Sequence, residues 1–178
     1  MPKDTLDSRT VLRESGTDDP MNFVRLGVDA ARSDDYERGL IFLSEAYHRV
    51  TSSREGKLPS VALSYYGLCL ALHKNKIKEG ADFCQLAIEK EFYNSEHYLN
   101  LAKVFLAGRS RRKAVEAIFR GLALEPNNLA LRQLREDIGS RRKPVLPFLH
   151  RDNPLNVTLG RIRHALTAKP KPPDRAVR

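Results

Sequence analysis

The sequence predicts an all-α protein: a solenoid of three stacked helical hairpins, followed by a capping helix and a basic C-terminal extension. Three observations carry that prediction. Small residues return in a fixed apolar setting at intervals of 34 to 41 residues, apolar residues recur three and four apart, and polar breakers separate the periodic stretches. Residues three and four apart share one helix face, so each half-repeat presents an apolar stripe that needs a partner.

Residues 1–19 carry no such pattern and are expected to be a flexible N-terminal segment. The repeat region, residues 20–140, opens with Phe23-x-x-Leu26-Gly27-x-x-Ala30 followed by Gly39-x-x-x-Leu43-x-x-Ala46. The second copy is Leu63-x-x-Tyr66-Gly67-x-x-Leu70 with Gly80-x-x-x-Cys84-x-x-Ala87. The third is Tyr98-x-x-Leu101-Ala102-x-x-Phe105 with Ala114-x-x-x-Ile118-x-x-Gly121. Second and third copies are offset by 35 residues (67 to 102) and 34 (80 to 114). First and second are offset by 40 (27 to 67) and 41 (39 to 80), because the stretch from Thr51 to Lys57 lengthens the link. The small residues Gly27, Gly67 and Ala102 let one helix of each hairpin approach the other, and Gly39, Gly80 and Ala114 do so from the opposite side; larger side chains there would force the backbones apart. Breakers mark the turns at Ser33-Asp34-Asp35, Lys74-Asn75-Lys76 and Gly108-Arg109-Ser110. Pro126 closes the last hairpin, and Asn127 or Asn128 is placed to cap a helix running to Gly139.

This pattern resembles the tetratricopeptide repeat (TPR), a helical hairpin of 34 residues with large, small and proline positions in this order. The third copy matches best, from Tyr98 through Pro126. The usual proline is replaced by Thr51 and Phe92 in the first two copies, and the usual tryptophan by Phe23, Leu63 and Tyr98. The resemblance covers about residues 20–126 and implies a right-handed solenoid whose first helices line a concave side. It places the exposed groove positions at Val24, Val28, Ala31 and Arg32 in the first copy. In the second they are Ser64, Leu68, Ala71 and Leu72, and in the third Leu99, Lys103, Leu106 and Ala107. These are mostly apolar, which suits an extended apolar peptide or an amphipathic helix of another protein. Some relatives clamp the carboxylate end of a chaperone tail with Lys and Asn; here Val24, Val28 and Leu68 stand at those positions and only Lys103 is of the right type. An alternative is that the groove is covered by residues 1–19 or by the tail.

Residues 141–178 form the third region. They hold 10 Lys+Arg against Asp152 and Asp174, whereas residues 1–140 hold 21 Lys+Arg against 20 Asp+Glu, so the net charge of +9 sits almost wholly in the extension. After Arg141-Arg142-Lys143, the strip Pro144-Val145-Leu146-Pro147-Phe148-Leu149 is barred from helix by its prolines. Asn153-Pro154 then starts a short basic amphipathic helix with Leu155, Leu159, Ile162 and Leu166 on one side and Arg161 and Arg163 on others. The end, rich in Pro and Lys, is expected to be disordered. Three roles compete for this extension: docking on its own repeats, recognition of a partner protein or a second copy of the chain, and adhesion to nucleic acid or another anionic surface. A second basic run, Arg109, Arg111, Arg112 and Lys113, lies inside the repeat region.

Catalysis is not expected, because no motif that would carry it is found. No phosphate-cradling glycine loop is present, the five histidines form no i, i+4 ligand pair, and Cys69 and Cys84 fall in helical patterns as free thiols. No run of about 18 apolar residues occurs, and the N-terminus lacks the apolar core of a signal peptide, so a cytoplasmic protein is expected. The reading is therefore a non-catalytic adaptor, assembly factor or chaperone-like binder, without metal or cofactor, that holds an apolar peptide or helix in its groove. A small secretion chaperone of three repeats is a narrower case. The alternative is a protein that associates with nucleic acid or anionic surfaces through the extension.

Overall fold

The fold is that of a computed structural model, which describes residues 7–14, 16, 18–52 and 57–139. The chain divides into two compact units, Met1–Ile138 and Gly139–Arg178, and every helix below belongs to the first. Among the described residues there are eight α-helices and no strand: α1 (Ser8–Glu14), α2 (Pro20–Arg32), α3 (Tyr36–Ser52), α4 (Ser60–Lys74), α5 (Ile77–Lys90), α6 (Ser95–Ala107), α7 (Arg111–Leu124) and α8 (Leu129–Ile138).

Local chemistry sets the ends of these helices. Asp19 accepts the Met21 N–H at 3.0 Å with Pro20 in the first turn, and Asn94 accepts the Glu96 N–H at 3.1 Å. Asn128 accepts the Leu131 N–H at 3.1 Å and so starts α8. Asp34, Asn75 and Arg109 all take left-handed backbone (φ 61°, 56° and 55°) in the turns after α2, α4 and α6. Their spacing, 41 residues (34 to 75) and then 34 (75 to 109), repeats the spacing of the small residues. Asp and Asn tolerate this conformation; Arg109 adopts it at some cost.

Packing follows the sequence period. α2 lies on α3, α4 on α5 and α6 on α7, while α3 meets α4 and α5 meets α6. First helices also touch along the chain, α2 with α4 and α4 with α6, and α8 rests on α7. The tightest approach is between Gly67 and Gly80: a Cβ on either would stand 2.4 Å from the other's carbonyl oxygen. At Gly27 a Cβ would meet Leu43 Cγ at 2.6 Å, and at Gly121 it would meet Leu131 Cδ1 at 2.7 Å. An aromatic cluster of Tyr47, Tyr66 and Phe83, with ring centroids 4.9 to 5.6 Å apart, joins α3, α4 and α5. Cys69 and Cys84 are both free and buried in this core.

Two expectations change. Within residues 1–19, Ser8–Glu14 is a helix: Asp7 accepts the Arg9 N–H at 3.1 Å and the Thr10 hydroxyl at 3.1 Å, and Val11 is buried in the core on the side of α3. A one-turn apolar pair, Val11-Leu12, is too short to read as periodic, yet it docks because α3 offers an apolar surface. The link after the first hairpin does not begin at Thr51, since α3 runs to Ser52 with both hydroxyls bonded to backbone carbonyls one turn earlier.

Candidate functional site

The face formed by α2, α4 and α6 carries the residues expected to line a groove, and it is not uniform. Val28, Ala31, Ser64, Leu68 and Ala71 are buried, with Leu68 and Ser64 at 0% exposure. Val24 and Leu72 are half-buried and pack against the same core. The resemblance implies that these positions are exposed; five of them are buried among the helices themselves. Part of the reason is that first helices of successive hairpins touch, α2 with α4 and α4 with α6; Ala31 and Ala71 instead pack toward Gly39 and Gly80 on the second helices of their own hairpins. Ser64 illustrates the contact of α4 with α6, accepting a hydrogen bond from Asn100 Nδ2 of α6 at 2.8 Å. On α6 the counterparts behave differently: Leu99, Lys103 and Leu106 are half-buried and Ala107 is exposed.

Arg32 remains exposed but is engaged. Its Nε donates to the Tyr65 hydroxyl at 3.1 Å, and its Nη2 forks onto both Glu96 carboxylate oxygens at 2.9 and 3.1 Å. Tyr65 in turn donates to Glu96 Oε1 at 2.6 Å, and the guanidinium carbon lies 5.5 Å from the Tyr65 ring centroid. Burial, reinforced by the hydrogen bond to Glu96, pushes the Tyr65 phenol up to about 12. The hydrogen bonds to Tyr65 and Glu96 hold Arg32 firmly protonated. Tyr65, Glu96 and Asn100 escaped the sequence reading. The available signal was weak: polar or charged side chains beside the groove positions of consecutive copies.

The basic run after α6 divides between two depressions. Arg109 and Arg111 join Leu106, Leu134, Asp137 and Ile138 around a cleft of about 360 Å³ between the end of α6 and α8. Arg111 also donates to the Ile138 carbonyl. Lys113 turns to a groove of about 410 Å³ bounded by α5, α6 and α7, where its Nζ lies 5.5 Å from the Phe105 ring centroid beside Glu89, Glu116 and Arg120. Arg112 is exposed. So Leu106, expected in the groove, and Arg109 and Arg111, expected in a basic patch, share one cleft. Arg141, Arg142, Lys143, Arg161 and Arg163 lie outside the described residues.

Among the described residues no three His, Cys, Asp or Glu side chains converge as a metal site, and no helix is long and apolar enough to cross a membrane. His97 is fully buried at the start of α6; its Nε2 lies 3.5 Å from Glu91 Oε2, and neither ring nitrogen makes a hydrogen bond there. Burial holds its pKa below the ordinary value, with Glu91 pulling the other way.

The fold is similar to that of the TPR domain of OM64 from Arabidopsis, with a TM-score of 0.53 at 14% sequence identity, covering 67% of this chain and 93% of that domain. The likeness shows the fold: all-α, repeat-like and TPR-like. No family model matches the chain, and no curated protein does.

Proposed function

We propose that this protein is a non-catalytic protein-binding scaffold. In this reading α2/α3, α4/α5 and α6/α7 are three TPR-like hairpins of a right-handed solenoid, with α8 as its cap. The partner is an apolar peptide or amphipathic helix of another protein, seated on the α6 end of the first-helix face. The observation that carries it is the half-exposure of Leu99, Lys103 and Leu106, where the matching residues of α4 are sealed in the core. Leu106 opens to the cleft beside α8, where Leu134 and Ile138 of α8 add apolar surface and Asp137 of α8 and Arg109 of the turn after α6 supply polar edges.

The test is affinity capture from source-cell lysate with and without nuclease, comparing wild type with Lys103→Glu/Leu106→Glu after circular dichroism has shown that the variant folds. One protein retained by wild type and lost by the variant supports the site. Unchanged capture overturns it. Capture that disappears on nuclease treatment alone favours the second reading, nucleic-acid association through the basic residues, for which the net charge of residues 141–178 speaks.

A further inference from the structure

The contact of Arg32, Tyr65 and Glu96 joins three helices, one from each hairpin. Arg32 closes the last turn of α2, Tyr65 lies in α4, and Glu96 sits in the first turn of α6, 64 positions along the chain from Arg32. An exposed ion pair alone contributes about 0–1 kcal/mol. This one differs in three respects. Its guanidinium forks onto both carboxylate oxygens, its third member is a phenol whose residue is only 5% exposed, and each of the three side chains bonds the other two. The side chains of Arg32 and Glu96 are themselves 52% and 27% exposed, so water and other charged groups reach the contact. α2 and α4 touch along this face, and Val28 on α2 and Leu68 on α4 are both buried.

We infer that Arg32, Tyr65 and Glu96 form a latch that clasps the first hairpin to the third across the second and keeps the α2–α4 part of the face shut. The inference rests on the scaffold reading above and adds its regulation. With the latch closed, a partner meets only the α6 end. With it released, α2 parts from α4 and buried apolar side chains such as Val28 and Leu68 become available, which extends the binding surface toward the N-terminus.

The two buried thiols report on this directly. Cys69 lies where α4 meets α3 of the first hairpin: its Sγ is 2.9 Å from the position a Cβ would take on Gly39. Cys84 lies within the second hairpin, its thiol donating to the Ser64 carbonyl at 3.3 Å. Burial raises both thiols, Cys69 to about 12, so neither reacts until its surroundings open.

The experiment labels the full chain with a thiol-reactive disulfide reagent under native conditions and follows each cysteine by peptide mass spectrometry. Glu96→Gln removes the carboxylate at nearly constant shape, and Arg32→Lys keeps the charge but not the fork. The latch requires Cys69 labelling to rise roughly tenfold in Glu96→Gln and by less in Arg32→Lys, with the Cys84 rate unchanged. Unchanged Cys69 labelling overturns the latch. Equal acceleration of both thiols also overturns it, because Glu96 would then support the whole fold rather than one interface. No partner enters this measurement, so its failure leaves the α6 binding site standing, and loss of that site leaves the latch standing.

Discussion

Along one face of the molecule, α4 and α6 occupy equivalent places in the repeat yet present opposite surfaces. Leu68 is fully buried, while Leu99 and Leu106 are half-exposed. At matched positions α4 carries Ser64, Leu68 and Ala71 where α6 carries Leu99, Lys103 and Leu106, so the side chains differ, and so do the neighbours. α4 has a first helix on each side, α2 and α6, whereas α6 is followed by α7 and α8, and α8 rests on α7. Whether an apolar stripe is covered or left open depends on which helices stack against it.

Truncation separates the two surfaces most strongly. Leu68→Ala should destabilise the fold by about 3 kcal/mol, because it leaves a void in a fully packed place. Leu106→Ala should cost no more than about 1 kcal/mol, since much of its side chain already meets water. Chemical denaturation followed by circular dichroism reads both, and equal losses would break the comparison. Next in size is the hairpin contact. Gly67→Ala must displace the Gly80 carbonyl and should cost about 2 kcal/mol. Ala102→Gly, at the same position of the third hairpin, should cost about 1 kcal/mol through helix propensity.

The smallest effect is a pH dependence at the start of α6. His97 is held below its ordinary pKa by burial, so the unfolded chain takes up the proton first as pH falls. Its neutral form is fully compatible with the fold above pH ~6.5. Below that, stability should decline by at most about 1.4 kcal/mol per pH unit until the folded pKa is reached. His97→Leu should remove this part of the slope, and Glu91 and Glu96, the carboxylates acting on the ring, should set its lower end.

Much of the hairpin packing was legible in the chain itself, because it depends on local spacing. Gly67 and Gly80 were readable as a close helix contact from their place in the repeat, and the structure brings each within 2.4 Å of the other's would-be Cβ. The turns at Asp34, Asn75 and Arg109 were readable as breaks from the same period. The site was less legible. Ala71 and Leu106 share one helical phase, four residues after Gly67 and Ala102, and nothing local says which is covered. Nor did Arg32, Tyr65 and Glu96 announce one another across 64 positions.

What the sequence by itself determined is the all-α class, the helical hairpins and the small-residue seams within them, since these follow from residues three, four and 34 apart. Only the tertiary structure decided that α1 docks through Val11, that α4's face is sealed, and that Arg32 meets Tyr65 and Glu96. The physical reason is one of range. Helix phase is set by neighbours a turn away, whereas burial and ion pairing depend on which distant surface arrives, and that is settled only when the helices stack.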